Sequence, residues 1–319
     1  MATVDDFVPV AVTSRSGFDE SVHHGAVVAL GPTGAVEFAV GNPGALVYPR
    51  SSNKPMQAVA MVRSGLRLPG ELLALVCASH DGTPGHLDAA RSILAGAGLT
   101  ESDLANTASM PLDESSALAV LRRGGGPTSL QMNCSGKHSG MLATCVHNGW
   151  AHDASYLDVD HPLQRCITDT IDDLCNEAHA HIGVDGCGAP AHVMSLLGLA
   201  HAFRNIATGH GGAGCSEVRD AMTGFPVMVG GAERDVTLMM QGIPGLMAKD
   251  GADGVFAAAL PDGRAVAMKI ADGGDRARPP VMLAALTALG IDVSGVPPLA
   301  ESRIMGHGRQ VGSVRAVAP

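Results

Sequence analysis

The placement of the β-prone segments constrains this chain most, because they lie at its two ends. VPVAVT, AVVAL and VEFAV, between residues 8 and 47, are short runs broken by turn material such as Gly31-Pro32-Thr33-Gly34. A second strand-rich stretch, GLMAKDGADGVFAAALPDGRAVAMKIADG, covers about 245–273, and Asp262-Gly263 within it predicts a two-residue hairpin. Between these ends the period changes. Apolar residues recur at three- and four-residue spacing over Met56–Val62, Glu71–Val76 and Leu87–Leu94, with further helices expected near 136–148, 161–177, 192–206 and 278–289. One antiparallel sheet built from both ends, with helices inserted between its strands, satisfies that order: an α+β layered fold. The 319 residues suit one domain, 1–319, with a helical subregion at about 52–240.

Composition removes several function classes. Hydrophobic residues are 46% and charged residues 16%, which excludes a disordered polyelectrolyte. Aromatics at 3% are too few for base-stacking platforms, and a net charge of −10 disfavours phosphate backbones, so nucleic acid is not expected as a partner. No apolar run reaches 18 residues, so no membrane span is expected. The start, MATVDDFVPV, lacks a basic segment followed by an apolar one. With seven cysteines, an odd number, this points to reduced thiols and a cytoplasmic protein.

Among the 21 basic residues only Lys54, Lys137, Lys249 and Lys269 are lysine. Such a bias places lysine where arginine fails, at positions needing an amine that can lose its proton. Ser51 and Lys54, in RSSNKP (50–55), share one face of a helical turn. Pro55 requires that helix to start only a few residues earlier, leaving Ser51 at its N-terminus. A serine there can be activated by a desolvated lysine; the plainer reading is an N-cap serine beside a solvated lysine. Cys134 and Cys187 stand alone in glycine-rich segments, where two thiols can form half of a metal site or simply be buried and inert. Lys249 lies among turn residues in GLMAKDGAD and reads as a surface control, tolerant of arginine. Gly209, Gly211 and Gly214 fit GxGxxG but follow a helix, AHAFRNIAT, where a dinucleotide site needs a strand.

RSSNKP, CASHDG (77–82), NCSGKHSGML (133–142), DGCGAP (185–190), GGAERD (230–235) and KIADGG (269–274), in that order, resemble the asparaginase II family, the rhizobial-type or class 3 L-asparaginases. The resemblance implies a fold like that of serine β-lactamases and penicillin-binding proteins, and hydrolysis of L-asparagine to L-aspartate and ammonia. It implies two Ser–Lys pairs, Ser51 with Lys54 and Ser79 with Lys269, so that arginine at either lysine should abolish activity. It implies zinc on Cys134, Lys137 and Cys187, orienting substrate rather than activating the nucleophile. Asp185 would grip the substrate amino group, and the protein would be a homodimer. Two other readings stand beside it: a penicillin-binding-protein-like serine acyltransferase, which lacks the SDN and KTG companions here, and a non-catalytic zinc-binding relative.

Overall fold

The computed structural model describes residues 3–317. Its strands are β1 (Val8–Arg15), β2 (Phe18–Leu30), β3 (Val36–Val40), β4 (Leu46–Val47), β5 (His181–Val184), β6 (Pro190–Ser195), β7 (Met247–Gly251), β8 (Val255–Ala259), β9 (Ala265–Ile270), β10 (Glu301–Gly306) and β11 (Arg309–Ala316). Its helices are α1 (Lys54–Arg63), α2 (Gly70–Val76), α3 (Pro84–Gly96), α4 (Glu114–Arg122), α5 (Ser135–Asn148), α6 (Pro162–Cys175), α7 (Leu196–Thr208), α8 (Cys215–Gly224), α9 (Pro226–Gly230), α10 (Asp235–Gly242) and α11 (Arg278–Ala288).

Both ends of the chain do meet in one sheet. Its order is β10-β11-β1-β2-β9-β8-β7, with β3 also paired to β2, and every pairing is antiparallel. The long β2 joins the halves: its first part pairs with β1, and Gly25–Leu30 pair with β9. Successive residues of a strand face opposite sides, yet all five residues of β7 and of β8 are buried. The sheet is therefore covered on both faces there, and α7 and α11 are the helices that pack on β8 and β9. Alanine-rich β8 and β9 allow that close approach. α1 is buried from Lys54 to Val62, all round its axis, as befits a helix at the centre of a helical layer.

Local differences from the sequence reading have local causes. α7 begins at Leu196 rather than near 192, because 190–195 is drawn into a three-stranded sheet, β4-β6-β5, and the Ser195 hydroxyl then caps the helix by accepting from Gly198 N at 2.9 Å. Leu260 N donates to Arg264 O (2.9 Å), so the β8–β9 connection has three residues around Gly263 instead of two. Gly209 ends α7 and Gly214 precedes α8, both with positive φ, so these GxGxxG glycines serve helix ends. The short helices α8–α10 and the half-exposed hairpin β10–β11, in which only Val314 is buried, stand outside the elements expected from sequence. No helix among the described residues is long and apolar enough to cross a membrane.

Candidate active site

The loop before α1 turns sharply. Pro49 leads into a 3-10 turn, Arg50–Asn53, and Arg50 takes a φ of +56°, a left-handed conformation that costs a non-glycine residue free energy. This turn presents Ser51 at the surface of the layer and Lys54 inside it: Ser51 is part-exposed, whereas Lys54 is buried. The turn lies against the edge of the large sheet. Ser52 Oγ donates to Lys249 O at 3.1 Å, and Gly251 passes so near that a Cβ there would stand 2.4 Å from Pro49 O. Only glycine permits that approach.

The lysines are not arranged as the motifs suggest. Lys54 Nζ donates to Ala78 O (2.5 Å) and to Ser79 Oγ (3.0 Å), so its bonded serine is Ser79 rather than Ser51. The second amine on Ser79 is Lys249, whose Nζ donates to Ser79 Oγ at 3.1 Å. Lys269, the partner that the family resemblance implies, donates instead to the carbonyl of Asp253 and is half-buried. Lys249 is no surface control. It lies in β7 with 0% exposure, the turn that its neighbours announce beginning only after Gly251. The scarcity of lysine, applied to all four residues alike, would have flagged it; the adjacent Asp-Gly masked it.

Burial pulls Lys249 down to about 8 from its ordinary 10.5, and the charge of Lys54 adds to that, against the pull of Asp250. Asp250 accepts from Lys249 at 2.5 Å on one oxygen and from Arg234 at 2.6 Å on the other. Although burial opposes its charge, Lys249, Arg234 and Arg278 hold its carboxyl below the usual carboxylate range. Arg234 is the arginine of the GGAERD block.

A second cluster is bound to the first through the backbone. His80 N donates to Asn133 O (3.1 Å), and buried His80 Nε2 meets Ser135 Oγ at 2.9 Å. These contacts fasten the Ser79 loop to the start of α5, where Gly136 packs on α2 so closely that a Cβ would lie 2.5 Å from Leu75 O. The sequence-predicted metal residues meet there: Cys134, Lys137 and Cys187 are all buried, and Lys137 Nζ donates to Cys187 Sγ at 3.1 Å. A hydrogen bond from Cys134, and then the charge of Lys137, hold the Cys187 thiol below its ordinary value against burial. The same hydrogen bond together with burial raises Cys134. The chemistry of this donor set fits a soft or borderline cation: two sulfurs and an amine whose one bonded acceptor is a thiol. Among the described residues no group of three or more His, Cys, Asp or Glu gathers for a metal, so a site here depends on Lys137.

Asp185, on the loop before β6, is mostly buried and accepts from Arg50 Nε at 3.1 Å. Arg50 also pairs with Asp253, so the residue before Ser51 joins the Asp185 loop to the β7–β8 turn.

The model of the L-asparaginase II family matches residues 11–316, nearly the whole chain. No curated protein matches. Among solved structures, the chain is similar to a β-lactamase from Mycobacterium bovis, at 16% identity and a TM-score of 0.45 over 83% of this chain and 94% of that one. It is also similar to Mglu in its native form, at 14% identity and a TM-score of 0.39 over 83% of this chain and 63% of that one.

Proposed function

Because the chain belongs to the L-asparaginase II family, amidohydrolases of L-asparagine, we propose that its chemistry runs through Ser51, Ser79, Lys54 and Lys249. The observation that carries this reading is one hydroxyl, Ser79 Oγ, accepting from two buried amines at 3.0 and 3.1 Å. Two amines on one acceptor disfavour each other's charge, so one amine can act as base while the other stays an acid.

Ser51 is the open hydroxyl, set after a strained residue at the start of a helical turn. It attacks the side-chain amide carbon, and its proton passes to the amine pair of Lys54 and Lys249 by way of Ser79. The proton returned to the amide nitrogen lets ammonia leave, and a β-aspartyl ester remains on Ser51. Water attacks that ester, its proton taken by the amine pair through Ser79, and L-aspartate departs. Lys269 stays outside this relay as a residue that shapes the β7–β8 turn. Asp185 receives the substrate ammonium once Arg50 yields it. Cys134, Lys137 and Cys187 would hold zinc, which when bound supplies a fixed positive charge for orienting substrate. The seven free cysteines, six of them buried, support a reducing, cytoplasmic setting. A single catalytic domain acting as a homodimer completes the reading.

Rapid quenching of the Ser79→Ala variant with L-asparagine, followed by peptide mass mapping, tests the assignment. A β-aspartyl adduct on the peptide containing Ser51 is expected. In wild-type protein, an adduct on the Ser79 peptide would overturn it.

A further inference from the structure

Asp250 lies inside the molecule and divides its two oxygens. Oδ1 takes the Lys249 amine at 2.5 Å; Oδ2 takes Arg234 Nη2 at 2.6 Å, with Arg278 Nη1 at 3.7 Å. The two arginines come from different elements, Arg234 from the turn before α10 and Arg278 from the start of α11. Each is held from behind: Arg234 by Asp81 (3.6 Å), Arg278 by Asp235 (3.3 Å), by Asp275 at the surface and by Gly251 O (2.8 Å).

A carboxylate this close to a buried amine would, alone, fix the amine as an ammonium, and a fixed ammonium cannot take a proton from anything. Here that hold is shared. Lys249 is faced by Lys54 from α1, by Asp250 on its own strand and by Arg234 before α10, with the Cys77 thiol at the end of α2, and Arg278 from α11 reaches it through Asp250. The cluster has four basic sites (Lys54, Lys249, Arg234, Arg278) and three interior carboxylates (Asp81, Asp235, Asp250). Neither arginine can give up a proton. With the exposed Asp275 on Arg278 the charges balance at four and four, so it is the interior, one carboxylate short, that favours a neutral lysine.

We propose that Arg234 and Arg278 are positioning residues of the reaction: by drawing on the second oxygen of Asp250, Arg234 through a hydrogen bond and Arg278 through its nearby charge, they free the Lys249 amine to serve Ser79. The proposal rests on the reading of Lys249 as a working amine.

Four lysines make the test direct, because protein labelled with 13Cε-lysine gives four side-chain signals, assignable through single Lys→Arg variants. The Lys249 signal is titrated in wild type, Arg278→Gln, Arg278→Lys and Asp250→Asn, beside the pH profile of kcat for L-asparagine. Arg278→Gln should raise the Lys249 midpoint and the acid limb of kcat by about one pH unit, a tenfold loss at pH 7. Arg278→Lys should restore both, and Asp250→Asn should move both downward. General loosening of the fold would not give opposite signs to the two removals. Arg234→Gln, on the more exposed guanidinium, carries the same upward expectation and replaces Arg278→Gln should that variant fail to fold. A Lys249 midpoint that stays put or falls in the arginine variants overturns the proposal. A midpoint that rises while the rate profile stays fixed overturns instead the role of Lys249 on which it rests.

Discussion

Replacing Lys249 by arginine should remove nearly all activity, although the sequence context suggests a neutral change. The side chain has 0% exposure, and its amine touches Ser79 Oγ at 3.1 Å, Asp250 O at 2.8 Å and Asp250 Oδ1 at 2.5 Å. With its midpoint near 8, half of the molecules hold a neutral amine at pH 8, against roughly one in 300 for an unperturbed lysine. Arginine holds none. Losing a positioned base or acid lowers rates by about 10²–10⁴, or about 3–5 kcal/mol of barrier. The larger guanidinium also overpacks a closed site, at roughly 1–3 kcal/mol of stability. Lys249→Met separates these effects, since it keeps the volume and leaves Asp250 to its two arginines. Ammonia release from L-asparagine at pH 6–10, with thermal melts of each variant, provides the readout. Wild-type kcat should rise through an acid limb near pH 8, and both variants should fall at least a hundredfold while still melting cooperatively. A folded Lys249→Arg protein with more than a tenth of wild-type kcat would refute the reasoning.

Further outcomes follow from the same geometry. Lys249 sheds its proton earlier in the folded than in the unfolded chain, so between about pH 8 and 10.5 the unfolded state binds more protons and stability rises with pH, by up to about 3 kcal/mol. The difference in urea stability between wild type and Lys249→Met should show that rise, and a flat difference contradicts it. Gly251→Ala forces a Cβ to 2.4 Å from Pro49 O, so it should displace the Ser51 turn and lower both melting temperature and kcat; unchanged kinetics would mean the turn tolerates the shift. Asp185→Asn should raise KM for L-asparagine about tenfold or more, from the roughly 1.5–3 kcal/mol of a charge-assisted bond, with kcat little altered. If KM does not change, Asp185 is only the counter-ion of Arg50. Cys187→Ser should abolish zinc in metal analysis and raise KM more than it lowers kcat; a variant that still retains stoichiometric zinc rules out the ligand assignment.

Patterns set by near neighbours in the chain could be read without a structure. The short β-prone runs broken by turn residues near 8–47 and 245–273 dictate strands, and the three- and four-residue spacing from Met56 onward dictates helices, because that spacing gathers side chains on one helical face. Two strand-rich ends around a helical middle then leave one economical sheet, and that sheet forms. The same holds for the Cys134–Lys137 pair, fixed by one helical turn, and for Ser51, fixed by Pro55 and the turn before it. Tertiary structure decided which amine reaches which hydroxyl. Ser51 and Lys54 look like partners because they are three apart, but α1 carries the lysine inward to the loop after α2, where Ser79 waits. Lys249 and Lys269 lie in one strand-rich stretch. Only the order β9-β8-β7, with β7 at the edge beside the Ser51 turn, sends the first to Ser79 and leaves the second two strands away. No local pattern encodes a distance between strands, or the carboxylate and arginines that share Lys249. Those depend on where remote elements pack, and the packing sets the charge on which the chemistry turns.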